Sequence, residues 1–123
     1  MTGDSDSVLD AMQVADLMAL DKGQGRLFAQ FVNVFLSGTD DRIVPLRRHA
    51  ESADAAALAD AAHAFRGASG NVGAVRLAEL CGRVEIAGNR QDMNAAKQLI
   101  ELLDAEYALA RGAMLAAAGR GRS

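Results

Sequence analysis

The sequence predicts an all-α protein, an antiparallel four-helix bundle with an additional short N-terminal helix. Three observations predict it. Ala and Leu recur throughout while aromatic residues make up only 4% of the 123 and Pro occurs once, a composition that favours helix over strand because Ala and Leu lose little on entering a helix. Apolar residues return at i, i+3 and i+4 in successive segments, the period of one helix face. Short polar or glycine-containing stretches separate these segments, and short connections force neighbouring helices to pack side by side.

A short helix is expected over residues 8–20, with Val8, Leu9, Met12 and Leu17 apolar and the Asp21-Lys22-Gly23 turn as its stop. From Gln24 onward, Leu27, Phe28, Phe31, Val34 and Phe35 fall on one helix face until Ser37-Gly38-Thr39 interrupts them. A second stripe, Ile43, Leu46, Ala50 and Ala53, follows. Thr39 either caps a new helix or sits within a continuous, bent one, and Pro45 favours a bend because it removes a backbone donor. Residues 54–70 carry Leu58, Ala61, Ala62, Phe65, Ala68 and Ser69 at helical spacing, with Asp54 as N-cap and Gly70-Asn71 as the end. The next helix, 73–87, buries Leu77, Leu80, Cys81 and Val84 and closes at Gly88-Asn89. A last long helix, 92–117, has Asp92 or Asn94 as its cap and Leu99, Leu103, Tyr107, Ala110 and Met114 on its apolar side.

The whole chain, 1–123, reads as one domain with flexible tails at about 1–7 and 119–123, since a chain of this length rarely builds two cores. Thirteen basic residues against sixteen acidic ones leave a net charge of -3, which argues against a nucleic-acid partner. Cys81 is the only cysteine, so neither an intrachain disulfide nor a cysteine-based metal cluster is available. There is no apolar run of about 20 residues and no charged, apolar leader, so a cytoplasmic location without direct membrane contact is expected.

Chemistry concentrates at His63. On a helical wheel of the 54–70 helix it lies roughly 140° from Leu58, on the side turned to water. Small residues surround it, with Ala56, Ala59, Gly67 and Gly70 on that face and Arg66 one turn away. Gly67 is informative, because glycine inside a helix costs about 0.5 to 1 kcal/mol relative to alanine. Close approach of another surface or of a phosphoryl group would account for it. Arg66 at i+3 reaches the same patch and can donate to phosphoryl oxygens. An isolated surface histidine is ordinarily just solvated, but these neighbours together form a site for a dianion. His49, beside Arg47 and Arg48, reads instead as part of a solvated face, and Cys81 as a small apolar core residue.

The stretch HAFRGASGNVGAVRLAELCGRVE, from His63 to Glu85, resembles the signature of the histidine phosphotransfer (HPt) domains of bacterial multistep phosphorelays. His63, Phe65, Arg66, Gly67, Gly73, Ala74, Leu77, Cys81 and Glu85 match it in order and spacing. The resemblance implies that His63 is phosphorylated on Nε2 and that Arg66 steadies the phosphoryl oxygens. It also implies that Gly67, Gly70 and Ala59 let a partner's active site come close. Arg66 stands where Lys is commoner, offering a planar fork instead of a point charge. Glu85 falls where family members often orient the imidazole through Nδ1. An exposed helix charge is the other reading of that residue.

The same resemblance implies a phosphocarrier and not an enzyme. The chain would accept a phosphoryl group from a receiver-domain aspartate or a kinase and pass it to another response-regulator aspartate. Receiver domains of response regulators or of a hybrid histidine kinase are the expected partners, and Mg²⁺ is expected on the receiver, with no cofactor on this chain. Neither a Gly-Xaa-Xaa-Xaa-Xaa-Gly-Lys loop nor a glycine-rich nucleotide lid occurs, so ATP binding is not expected. Two other classes compete. One is a helical adaptor or dimerisation module of the same fold that binds without phosphotransfer. The other is a metal-dependent bundle enzyme, against which stands the lack of a Glu-Xaa-Xaa-His pair.

Overall fold

Asp10, Asp54 and Asp92 each place a carboxylate where the first free backbone N–H groups of a helix need an acceptor, and the chain turns helical at each. In a computed structural model describing residues 8–20 and 25–120, the helices are α1 (Ala11–Ala19), α2 (Arg26–Ser37), α3 (Asp40–Glu51), α4 (Ala55–Asn71), α5 (Val75–Asn89), α6 (Met93–Glu101) and α7 (Leu103–Arg120). Asp10 accepts from the N–H groups of Met12 and Gln13, Asp54 from Ala57 at 3.1 Å, and Asp92 from Ala95 at 3.1 Å. Capping by Asp10 starts α1 later than the apolar pattern suggests and leaves Val8 and Leu9 ahead of it. The Asp21-Lys22-Gly23 turn and the tails at 1–7 and 121–123 lie outside the described residues.

The pairs α2–α3 and α6–α7 each run in sequence with only a short interruption, so that with α4 and α5 they make the four long members of a helical bundle. The first interruption falls at Gly38 and Thr39, ahead of Pro45, which sits inside α3. Thr39 does not cap α3. Its backbone stays helical and its buried hydroxyl donates back to the Phe35 carbonyl at 2.9 Å. The second interruption is at Leu102, whose N–H donates to the Leu99 carbonyl at 3.0 Å, a tighter turn than an α-helix makes. Beyond it α7 continues through Gly119 to Arg120, into what the sequence suggests is tail.

Phe28, Val32 and Phe35 of α2, Leu46 of α3, Leu58, Ala62 and Phe65 of α4, and Leu77, Cys81 and Val84 of α5 meet in one core with Leu103 and Met114 of α7. Phe35 packs its ring against Phe65 and Tyr107, with centroids 6.3 and 6.4 Å apart. Phe31 and Val34, grouped by spacing with Phe28 and Phe35, instead stand largely outside, at 39% and 68% exposure. On α2 the apolar surface is wider than one stripe, and the core takes the stripe centred on Val32.

Two glycines differ from their sequence reading. Gly73 does not begin α5. It adopts φ +78° in the α4–α5 turn, a conformation cheap only for glycine, and its carbonyl accepts the Asp10 N–H at 2.8 Å, which docks α1 there. Gly88 does not end α5. It is buried within the helix, and an added Cβ would lie 3.1 Å from the Ala59 nitrogen and 3.2 Å from the Ala55 carbonyl oxygen. The missing side chain lets α4 and α5, the most extensively packed pair, approach backbone to backbone. Helix α5 ends only at Arg90 and Gln91, the latter at φ +59°.

Candidate functional site

The close approach at Gly88 determines what faces what along the seam. His63 lies one turn beyond Ala59 on α4 and Glu85 one turn before Gly88 on α5, so the two side chains meet across it. His63 Nδ1 is 3.0 Å from Glu85 Oε2. The His63 side chain is 64% exposed and that of Glu85 only 20%. Arg66, half exposed, brings Nη2 to 3.3 Å from His63 Nδ1 and Nε to 3.6 Å from Glu85 Oε1. The sequence suggested the collar of small residues. The structure adds a three-membered cluster of imidazole, carboxylate and guanidinium.

Both contacts at Nδ1 cannot be hydrogen bonds at once. An ionised carboxylate only accepts, so the bond to Glu85 requires a proton on Nδ1, whereas a bond from Arg66 would require a lone pair there. With the lone pair on Nδ1, the ring would direct it at the Glu85 carboxylate and forfeit a charge-assisted bond. The Nδ1–H tautomer is therefore favoured. Its consequence is that the Nε2 lone pair is free on an exposed ring, while Arg66 contributes charge beside the pair and not a bond to the ring. Glu85 Oε1 is buried with no hydrogen-bond partner, and Arg66 Nε at 3.6 Å is too far for one but close enough for ionic attraction.

The remaining sequence candidates divide. Gly67 is exposed and Gly70 partly so, and an added Cβ would meet nothing within 4 Å at either. The Gly70 carbonyl also accepts from Gln13 Nε2, a further tie to α1. Ala59, placed by the helical wheel on the exposed face, is instead buried against Gly88. Because α5 comes so close, it covers a strip of α4 that a helix of ordinary spacing would leave open, so Ala59 belongs to the seam. Glu85, for which two readings stood, is not an exposed helix charge. Arg47 pairs with Asp104 at 2.6 Å, which ties α3 to α7 and leaves the Arg47-Arg48-His49 run without a shared site. Cys81 is buried, and burial pushes its thiol up to about 12, so it stays protonated at neutral pH.

Two features escaped the sequence reading. Gly82, on α5, has the Arg66 side chain lying over it. A glycine inside a helical pattern three positions before an acid was the available signal. The second is an open, mostly apolar groove lined by Leu17, Phe31, Val34, Ala68, Asn71 and Val72, along the α4 segment that follows Gly67. Its signal was the excess of apolar residues on α2. Among the described residues, no cluster of three or more His, Cys, Asp or Glu is arranged to hold a metal ion, and no helix is long and apolar enough to cross a membrane.

The family model of the Hpt domain matches residues 30–113. Among solved structures the chain is similar to histidine-containing phosphotransfer protein B (HptB) from Pseudomonas aeruginosa PAO1, with 29% sequence identity and a TM-score of 0.82. That alignment covers 94% of this chain and 97% of the other. No curated protein sequence matches significantly.

Proposed function

Since this chain belongs to the Hpt domain family, whose work is histidine phosphotransfer, we propose that it is a phosphorelay intermediate with His63 as its phosphoacceptor. It takes the group from a receiver-domain aspartate, or from a kinase, and passes it to another response-regulator aspartate. The observation that carries the assignment is the exposed His63 ring, held through Nδ1 by the half-buried Glu85 with Nε2 left free.

Charge and proton balance follow from that tautomer. The neutral Nε2 lone pair attacks the phosphorus of an aspartyl phosphate, the P–O bond to the donor breaks, and the donor leaves as a carboxylate. The ring now carries Nε2–P and Nδ1–H together and is cationic, with Glu85 as its counter-charge. Onward transfer reverses the step. The leaving group is then a neutral imidazole, because the Nδ1 proton never leaves, and a neutral leaving group makes the histidine a good donor. Arg66 rests on the Nδ1 side of the ring. Its flexible stem allows the guanidinium to reach the oxygens of a phosphoryl group on Nε2. The apolar groove beside Gly67 gives a receiver a surface to rest on while its aspartate approaches His63. Mg²⁺ and the acidic cluster that holds it belong to that receiver, and the relay operates in the cytoplasm.

The test is a phosphotransfer assay with receiver domains loaded by acetyl phosphate in Mg²⁺. The wild-type chain is expected to become labelled with an acid-labile, base-stable phosphate, His63→Asn is expected to lose the label completely, and labelled ATP alone is expected to give none. Failure of every receiver from the same genome to label the wild type would favour the adaptor reading.

A further inference from the structure

Arg66 owes its place to a residue on the neighbouring helix. An ideal Cβ built on Gly82 would lie 3.3 Å from Arg66 Cδ and 3.8 Å from Arg66 Nη1, inside or at the edge of normal carbon contact. Among the described residues nothing outside its own helix comes as close to that position. The space is therefore filled by one long side chain, and that side chain belongs to the His63 cluster.

We propose that Gly82 is a positioning residue for phosphotransfer, the slot left by its missing side chain holding Arg66 across α5 so that the guanidinium stays with Glu85 and His63. The proposal rests on reading His63 as the phosphoacceptor.

An arginine on an exposed helix face samples many rotamers, and restricting it costs entropy. Here Cδ of the stem sits over Gly82 on α5, which restricts that freedom and sends the head group toward Glu85, one turn further along the same helix. The cation is thus held beside the ring before any phosphoryl group arrives and needs only a short swing of the guanidinium to reach its oxygens. Charge placed in advance stabilises a transition state better than charge that must first be gathered. Arg66 is half exposed and has room to move outward, so a side chain at 82 moves the arginine and not the helix. A methyl shifts the stem by a few tenths of an ångström. A valine fills the slot and turns the guanidinium out to water.

The experiment uses phosphoramidate as donor, a molecule too small to need a docking surface. His63 Nε2 attacks the phosphorus of its N-protonated form, the P–N bond breaks and neutral ammonia leaves with the proton the nitrogen already carried, so charge and protons balance without a further reactant. Phosphohistidine is followed by ³¹P NMR in the wild type, Gly82→Ala, Gly82→Val, Arg66→Ala and Gly82→Val/Arg66→Ala. Gly82→Val is expected to slow phosphorylation on the order of tenfold, and Gly82→Ala to slow it less while unfolding at the same temperature as the wild type or higher. In the Arg66→Ala background the Gly82→Val effect should vanish. The Arg66 Nε–H resonance should move to the position of a solvated arginine in Gly82→Val while that of Arg83 does not. Absence of phosphohistidine in the wild type would overturn the phosphoacceptor reading and this inference with it. Phosphohistidine in the wild type with an unchanged rate in Gly82→Val, or an equal loss with and without Arg66, would overturn the positioning role alone.

Discussion

Along the seam between α4 and α5 a neighbour occupies the space of every missing side chain, whereas on the outer face of α4 the missing side chains leave open space. At Gly88 the occupant is the backbone of α4 and at Gly82 it is the Arg66 side chain, while Gly67 and Gly70 face nothing within 4 Å. All four are helical glycines and all carry the same intrinsic cost. That cost is offset by different things. In the seam the return is visible within the chain, as close packing and a held arginine. On the outer face nothing within the chain fills the space, and under the proposed function the return is the clear approach it gives a receiver to His63.

The largest effect is expected at Gly88. A valine there meets the Ala59 nitrogen and the Ala55 carbonyl oxygen, backbone atoms that cannot give way unless α4 moves. Overpacking of this kind costs about 3 kcal/mol, read as a lower urea midpoint with an unchanged m-value. Gly67→Val, with open space around it, should cost far less. Equal losses at the two positions would erase the distinction between seam and face.

How much of this was legible in the sequence depended on whether a residue's role is local. The helical segments, the caps at Asp54 and Asp92 and the exposure of His63 follow from periodicity and capping, which the chain carries within a few residues of each position, whereas the Asp10 cap and the break at Leu102 do not show in the apolar pattern. The role of Gly88 does not, because a glycine near a helix end looks like a stop until the helix it touches is known. The helical wheel misplaces Ala59 for the same reason, since its burial comes from the depth at which α5 sits. Phe31 and Val34 were grouped with the core because two adjacent stripes of α2 are both apolar, and a period of 3.6 residues cannot choose between them. Arg66 is legible from its i+3 spacing to His63, whereas Glu85 is legible only as a member of a family pattern. The pairing of Glu85 with His63 and Arg66 is a fact of the seam.

The second effect belongs to the outer face of α4. Gly67→Gln adds a polar side chain where there is room for it, so thermal unfolding should change little. Transfer from a phosphorylated receiver should nonetheless slow, because the new side chain projects beside His63 where the donor aspartate must come. A displacement of ~1 Å can cost on the order of 100-fold in rate. Unchanged transfer would mean that the receiver approaches from another direction and that the open glycines of α4 serve no partner.

The smallest effect is the most discriminating, because stability and function are expected to move in opposite directions. Gly67→Ala places a methyl in open space on a residue within the helical span of α4, so it adds no clash and removes freedom from the unfolded chain. Such a change stabilises by about 0.4–1 kcal/mol. If the glycine were merely tolerated, the variant would be a more stable protein with an unaltered transfer rate. If the glycine clears the path of a receiver, the variant is more stable yet slower, by less than the glutamine variant because the methyl is shorter. The two measurements are a denaturant midpoint and a single-turnover transfer rate on the same preparation. Phosphoramidate as donor separates the causes further, since a small molecule does not need the cleared path. Slower transfer from the receiver with an unchanged rate from phosphoramidate would place the role of Gly67 in docking. A slower rate from both donors would mean that the methyl disturbs His63 itself, and the outer face would then be part of the reacting cluster and not only its approach.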